Sequence, residues 1–284
     1  MRRIMARLAF IGTGVMGAPM ARHLGASGHD VVVFNRSRSK AEATGLAVAD
    51  TPAAAARGAA AVFACVGNDD DLRQVTLGTD GCFAAMHEGA VFVDHTTVSA
   101  TIARELAEAR ALVVDAPVSG GQAGAEAGKL AVMCGGSDAA VAAAEPLMTA
   151  YAARIVHVGG PGAGQQTKMV NQIAIAGVIQ GVAEALRFAQ ASGLDTDKVL
   201  EAISGGAAQS WQMVNRWSSM AEDRFDFGFA VDWMRKDLGL ALAEARGNGA
   251  SLPVAALVDQ FYAEVQAMGG ARQDTSSLVR RLPR

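Results

Sequence analysis

Four short stretches of this 284-residue chain hold residues whose types and spacing restrict the chemistry open to them. Gly12-Thr13-Gly14-Val15-Met16-Gly17 fits G-x-G-x-x-G, directly after the apolar run Leu8–Ile11 and at the start of a helical segment. That order supplies a tight turn, bare backbone beside a pyrophosphate, and a helix N-terminus aimed at the anion. A second apolar run, Val31–Phe34, ends 17 residues after Gly17. A dinucleotide-binding unit usually carries an acid there for the ribose 2′-hydroxyl. This chain has Asn35, Arg36 and Ser37 instead. An acid would repel a 2′-phosphate, whereas a guanidinium bonds one through a forked pair of N–H groups. The expected cofactor is NADP(H), with NAD possible; the bland alternative is that Arg36 is an exposed loop residue.

The other two stretches would serve a substrate. In DAPVSGG, Asp115 to Gly121, Ser119 offers a hydroxyl while Gly120 and Gly121 expose backbone N–H groups without side-chain obstruction. Placed after a strand, this turn lies at the carboxyl edge of a sheet, where open α/β sheets bind ligands. Lys168 and Asn171, three residues apart in GAGQQTKMVNQ, share one helix face. A lysine near an apolar helix face more often snorkels to solvent, and taken alone that reading is the commoner one. Asp69-Asp70-Asp71 after Asn68 reads as the acidic first turn of a helix rather than a metal site.

These residues need elements to position them. Short apolar runs at Leu8–Ile11, Val31–Phe34, Ala61–Val66, Ala90–Asp94, Leu112–Asp115, Leu130–Cys134 and Ile155–Val158 alternate with helix-like segments such as Thr101–Arg110 and Ala139–Thr149. Strand, crossover, strand repeated this way predicts α/β architecture, a mostly parallel doubly wound Rossmann-type sheet with strands covered on both faces. After residue 162 the pattern changes to one long apolar helix, about Gly164 to Ser192, which Gly193 stops. Helices are then expected at Thr196–Ile203, Phe229–Arg246 and Pro253–Met268. The organisation read from this is residues 1–162 as a cofactor-binding domain and 163–284 as an all-helical domain, joined by the long helix.

Composition narrows the class. The chain is 51% hydrophobic and 19% charged, enough apolar material for a sizeable core, and its net charge of −3 leaves no basic stripe for nucleic acid. The arginines at the ends (Arg2, Arg3; Arg280, Arg281, Arg284) read as short tails. Arg2 and Arg3 precede an apolar run too short for a secretory leader, and no run of about 20 uncharged apolar residues occurs. Cys65, Cys82 and Cys134 are odd in number and form no CxxC, and the five histidines show no ligand spacing. Buried thiols in a reducing, cytoplasmic setting are expected, with no metal, nucleic acid or membrane as partner.

The motifs together resemble the β-hydroxyacid dehydrogenases, the group of 3-hydroxyisobutyrate dehydrogenase, tartronate semialdehyde reductase and the glyoxylate/succinic semialdehyde reductases. FIGTGVMGAPMARHL, DHTTVS, DAPVSGG, GAGQQTKMVNQ and RKDLGLAL occur in the family's order, from Leu8 to about Met268. The resemblance implies hydride transfer between NADP(H) and a short 3-hydroxy acid or its semialdehyde. It makes Lys168 the acid/base, Asn171 a partner that hydrogen-bonds the same substrate oxygen or orients the amine, and Ser119, Gly120 and Gly121 the holders of a small carboxylate substrate. It also implies cofactor contacts from Val66, Asn68, Thr97 and Lys236, and a homodimer or homotetramer. Gln172 stands where many relatives have Asn, and His95 and Thr96 depart from the commoner Ser. Trp211, Met213, Trp217, Phe229, Trp233 and Met234 read as core or subunit interface ahead of pocket lining. Two other functions compete with it: imine reduction on the same architecture, whose enzymes generally lack this lysine, and a non-catalytic dinucleotide-binding protein. The 6-phosphogluconate dehydrogenases share the Lys-Asn arrangement but have a much longer helical part.

Overall fold

The computed structural model describes residues 5–283; Arg2, Arg3 and Arg284 lie outside them. Among the described residues nine strands form one sheet: β1 (Arg7–Ile11), β2 (Asp30–Phe34), β3 (Ala47–Val48), β4 (Ala61–Ala64), β5 (Val91–Asp94), β6 (Val113–Asp115), β7 (Val118–Ser119), β8 (Leu130–Gly136) and β9 (Ala152–Gly159). The order is β3-β2-β1-β4-β5-β6-β8-β7, with β9 paired to β8. From β3 to β6 every neighbour is parallel, so their carboxyl ends emerge on one edge. The chain steps outward from β1 through β2 to β3 and then crosses back over β2 and β1 to β4, the strand-order reversal beside which doubly wound sheets bind nucleotides.

The alternation of side chains along a strand sorts two cores. Phe10, Phe63, Val93 and Val114 pack on one face with Met20, Leu24, Met148 and Tyr151. Ile11, Val62 and Phe92 pack on the other with Leu72, Ile102 and Leu106. All three cysteines are free thiols; Cys134 is sealed in the first core and Cys82 in the second, where burial pushes each thiol up to about 12. Three features depart from the sequence reading. Strands β3 and β7 are only two residues long, too short for a periodicity to register. β8 runs antiparallel to β6 and β7. And β9, expected to be covered on both faces, is largely exposed.

Beyond the sheet the chain is helical. The long helix runs Ala163–Ala191, 29 residues or about 43 Å at ~1.5 Å per residue, and Gly193 follows it at φ +67°. Helices Thr196–Ile203, Val231–Asn248 and Pro253–Val265 come next. Asp195 accepts from the Asp197 and Lys198 N–H groups to start the first, and Gly249, left-handed, ends the second. The sequence reading passed over helix Trp211–Ala221, capped by Ser210. Packing divides the chain into two compact units, one ending at Lys168 and the other beginning at Met169. In the second, Ala176 and Ile179 join Met234, Leu238, Val258 and Tyr262, while Ala183 and Leu186 join Met213, Trp217 and Met220. By length and composition alone the long helix could cross a membrane; its apolar stripe instead fills these two cores.

Candidate active site

The glycine loop is shaped by what cannot be added to it. Gly12 has φ +94°, and a methyl there would run into the Cys65 carbonyl oxygen. One on Gly17 would meet the Gly12 carbonyl oxygen. Gly14, in contrast, faces open space. Helix Gly17–Ala26 begins at Met16 with no side-chain cap; the Ala18 N–H donates to the Gly14 carbonyl at 3.0 Å and Pro19 has none, which leaves the glycine-loop backbone itself to face an anion. Thr13 is buried, with its hydroxyl unpartnered, and its N–H donates to Asn35 Oδ1 at 3.0 Å. A bare backbone cradle before an uncapped helix fits a dinucleotide pyrophosphate. Val15 is exposed beside it.

At the end of β2, Asn35 is held at both ends of its amide, Oδ1 by the Thr13 N–H of that loop and Nδ2 by the Ser37 carbonyl, to which it donates at 3.0 Å. Ser37 begins the short helix Arg38–Glu42. Arg36 is 82% exposed and pairs with Asp71 at 3.0 Å. The acid absent after β2 is thus supplied by the β4 side, from the first turn of helix Asp69–Leu77. Asn68 accepts from the Asp71 N–H and so is that helix's cap. Asp69 accepts from the Ser99 N–H at 3.0 Å and from its hydroxyl, tying the helix to the loop after β5.

That loop is held from below. Asp94 is buried, with Oδ1 accepting from the Thr96 N–H at 2.9 Å and Oδ2 unpartnered; burial pushes its carboxyl up to about 7. His95 places Nδ1 2.6 Å from the Ala116 carbonyl and Nε2 2.8 Å from the Tyr151 hydroxyl. A carbonyl only accepts, so Nδ1 carries the hydrogen and Nε2 receives one from Tyr151. Burial pulls the ring down to about 4, which keeps it neutral. The Thr96 hydroxyl accepts from the Val66 N–H at 3.0 Å, joining the ends of β4 and β5.

The start of the long helix docks on the same sheet edge. Asp115, at the end of β6, accepts from the Gly162 N–H with one oxygen and the Gln165 N–H with the other, each at 2.9 Å. Burial raises its carboxyl, and these N–H groups oppose the shift. Gly164 must be glycine, because a methyl would overlap the Asp115 carbonyl oxygen. The side chain of Gln165, buried, donates to the Thr96 carbonyl at 2.7 Å and accepts from the Val98 N–H at 3.1 Å. It therefore brackets Thr97. Lys168, three residues on, is 9% exposed. Ser119 is half-buried in β7, and Gly120 and Gly121 have φ +129° and +60°, so both depend on glycine.

In the second unit, Asn171 Nδ2 donates to Gln172 Oε1 at 2.8 Å, and Gln172 Nε2 donates to Asp237 Oδ2 at 2.7 Å. Lys236 Nζ lies 3.1 Å from Asp237 Oδ1, an ion contact rather than an aligned hydrogen bond. Of the aromatic and methionine group, Met213, Trp217 and Met234 are core, whereas Trp211 and Trp233 are exposed. The sequence assigns no part to Gln165, leaves Asp115 without a role, and marks Asp71 only as the acidic start of a helix. The available signal was a polar side chain inside an apolar or glycine-rich stretch, as in GAGQQTK. Their partners are 67–69 residues away for the Gln165 side chain and 35 for Asp71, so no local pattern names them.

Comparison with known proteins places this geometry. Residues 7–159 match the family described as the NAD binding domain of 6-phosphogluconate dehydrogenase. Residues 162–282 match that described as NAD-binding of NADP-dependent 3-hydroxyisobutyrate dehydrogenase. An uncharacterized oxidoreductase of Shewanella frigidimarina is 60% identical, over 98% of both chains. The 2-hydroxy-3-oxopropionate reductase of Escherichia coli is 34% identical, over 97% of both. Among solved structures, Mycobacterium tuberculosis 3-hydroxyisobutyrate dehydrogenase with L-serine has a TM-score of 0.88 at 33% identity, covering 99% of this chain and 100% of that one. The chain belongs to the β-hydroxyacid dehydrogenase family, oxidoreductases that use a nicotinamide dinucleotide.

Proposed function

We propose that the protein interconverts a short 3-hydroxy acid and its semialdehyde or oxo acid with NADP(H), and that Lys168 is the acid/base. The bound dinucleotide supplies the hydride to the carbonyl carbon or takes it back. In reduction, the Lys168 ammonium gives a proton to the carbonyl oxygen as that oxygen gains charge; in oxidation the neutral amine removes it. Asn171 hydrogen-bonds the same oxygen. Ser119 and the Gly120 and Gly121 N–H groups hold the carboxylate, and Arg36 takes the 2′-phosphate, with Lys236 a further cation for the cofactor.

One observation carries this reading: a nearly buried lysine on a helix whose first turn is bolted to the sheet's carboxyl edge by Asp115 and Gln165. A lysine free to snorkel needs no such fixed base. The deciding experiment assays short 3-hydroxy acids, their semialdehydes and cyclic imines, each with both cofactors. Turnover of a hydroxy acid that is faster with NADP supports the reading. Turnover confined to imines, or none with any hydroxy acid, would overturn it.

A further inference from the structure

Gln172 is 1% exposed and Asp237 4%, yet neither has a part in the chemistry above. Their hydrogen bonds have a direction that follows from donor and acceptor inventory alone. An ionised carboxylate only accepts, and the ammonium of Lys236 at 3.1 Å fits an ionised Asp237. Gln172 must therefore turn its NH₂ toward Asp237, which leaves its carbonyl pointing away. A carbonyl also only accepts, so Asn171 must turn its own NH₂ toward Gln172. Neither amide can flip without setting two acceptors or two donors face to face.

We propose that Asp237 and Gln172 are positioning residues: they form a buried relay that fixes the orientation of the Asn171 amide, and so which of its atoms meets the substrate oxygen. This rests on the reading that Asn171 serves that oxygen. With the relay intact, Asn171 keeps its second N–H in a set place, where it steadies negative charge on the oxygen during reduction. With the relay broken, the amide turns freely and in half its orientations offers a carbonyl oxygen to an oxygen. The length of Gln172 is part of the device, since asparagine is shorter by one carbon, about 1.5 Å, and would not span both partners.

The test compares Gln172→Met, Asn171→Ala and the double variant. Gln172→Met keeps the side chain's length and removes its hydrogen bonds. It should lower kcat for reduction about tenfold while leaving the Kd of NADPH unchanged. In the Asn171→Ala background the same change should cost almost nothing further, because the relay acts only through Asn171. An equal loss in both backgrounds would show that Gln172 acts through packing, and the proposal would fail. Gln172→Glu is a second variant of native shape. It still accepts from Asn171 but repels Asp237 until protonated, so its kcat should recover on acidification relative to wild type; parallel profiles count against the relay. The charged groups around it in that titration are Asp237, Lys236 and, one turn back along the helix, Lys168. If Asn171→Ala retains full kcat, the catalytic reading of Asn171 fails and the relay is decided by the Asn171 side-chain amide resonances. They should move in Gln172→Met, and unchanged resonances would sink the relay.

Discussion

The cofactor-side loops and the start of the second unit reach specificity by opposite means. Around the glycine loop the work is done by backbone: bare glycines and an uncapped helix end. Most side chains there could change if the φ angles were kept. At Asn171, Gln172 and Asp237 the backbone is ordinary helix, and all the information lies in buried side-chain polarity. A backbone site tolerates substitution until a Cβ intrudes, whereas a side-chain site fails at one atom.

Lys168 gives the largest expected break in that contrast. Lys168→Met should lower kcat by a factor of about 10² to 10⁴, the worth of a positioned acid/base, with Kd for NADPH nearly unchanged by fluorescence titration. A variant close to full kcat would remove Lys168 from the chemistry. Arg36 adds a side-chain determinant to the backbone-built half. Arg36→Ala should weaken NADPH about 10- to 150-fold, one charge-assisted bond of roughly 1.5–3 kcal/mol, and leave NADH alone. Asp71→Asn should tighten NADPH by removing the carboxylate that already occupies Arg36. Equal effects on both cofactors would mean that Arg36 points to solvent.

Ser119→Ala should do less, because Gly120 and Gly121 still offer their N–H groups. A rise of about tenfold in KM for the carboxylate substrate is expected, with the cofactor KM unmoved. Full activity on an analogue with a neutral group in place of the carboxylate would count against the whole turn. The smallest effect is thermodynamic. Folded Asp94 holds its proton more tightly than the unfolded chain does, so its contribution favours folding below about pH 4 and declines as pH rises to about 7. His95 has the opposite slope: full above about 6.5, lost toward 4. The Tm of Asp94→Asn minus that of wild type should therefore grow, by a few degrees on the order expected for a chain this size, between pH 4 and 7. A constant difference would mean that Asp94 is ionised throughout.

Legibility in the sequence followed the same divide. Gly12 and Gly17 could be read directly because few residues survive those backbone positions, whereas Gly14 was legible only as part of the motif. The long helix and most of the sheet could be read because their apolar periodicities run for several residues, and β3 and β7 could not, at two residues each. The reversed direction of β8 follows from pairing partners, which no strand's own pattern encodes. Arg36 was visible, but its partner Asp71 read only as a helix start. Gln172 was noticed as a departure in type; its meaning depended on Asp237, 65 residues away.

The sealed thiols make the sheet observable from both sides. Cys134 and Cys82 lie in the cores of opposite faces, both fully covered and resistant to ionisation, so neither reacts until its own face opens. The rate at which a small thiol reagent labels each residue in the native protein is then a clock for the breathing of one layer of helices, read at native residues. A ligand that binds along the carboxyl edge and stills one layer more than the other would slow one clock and leave the other running.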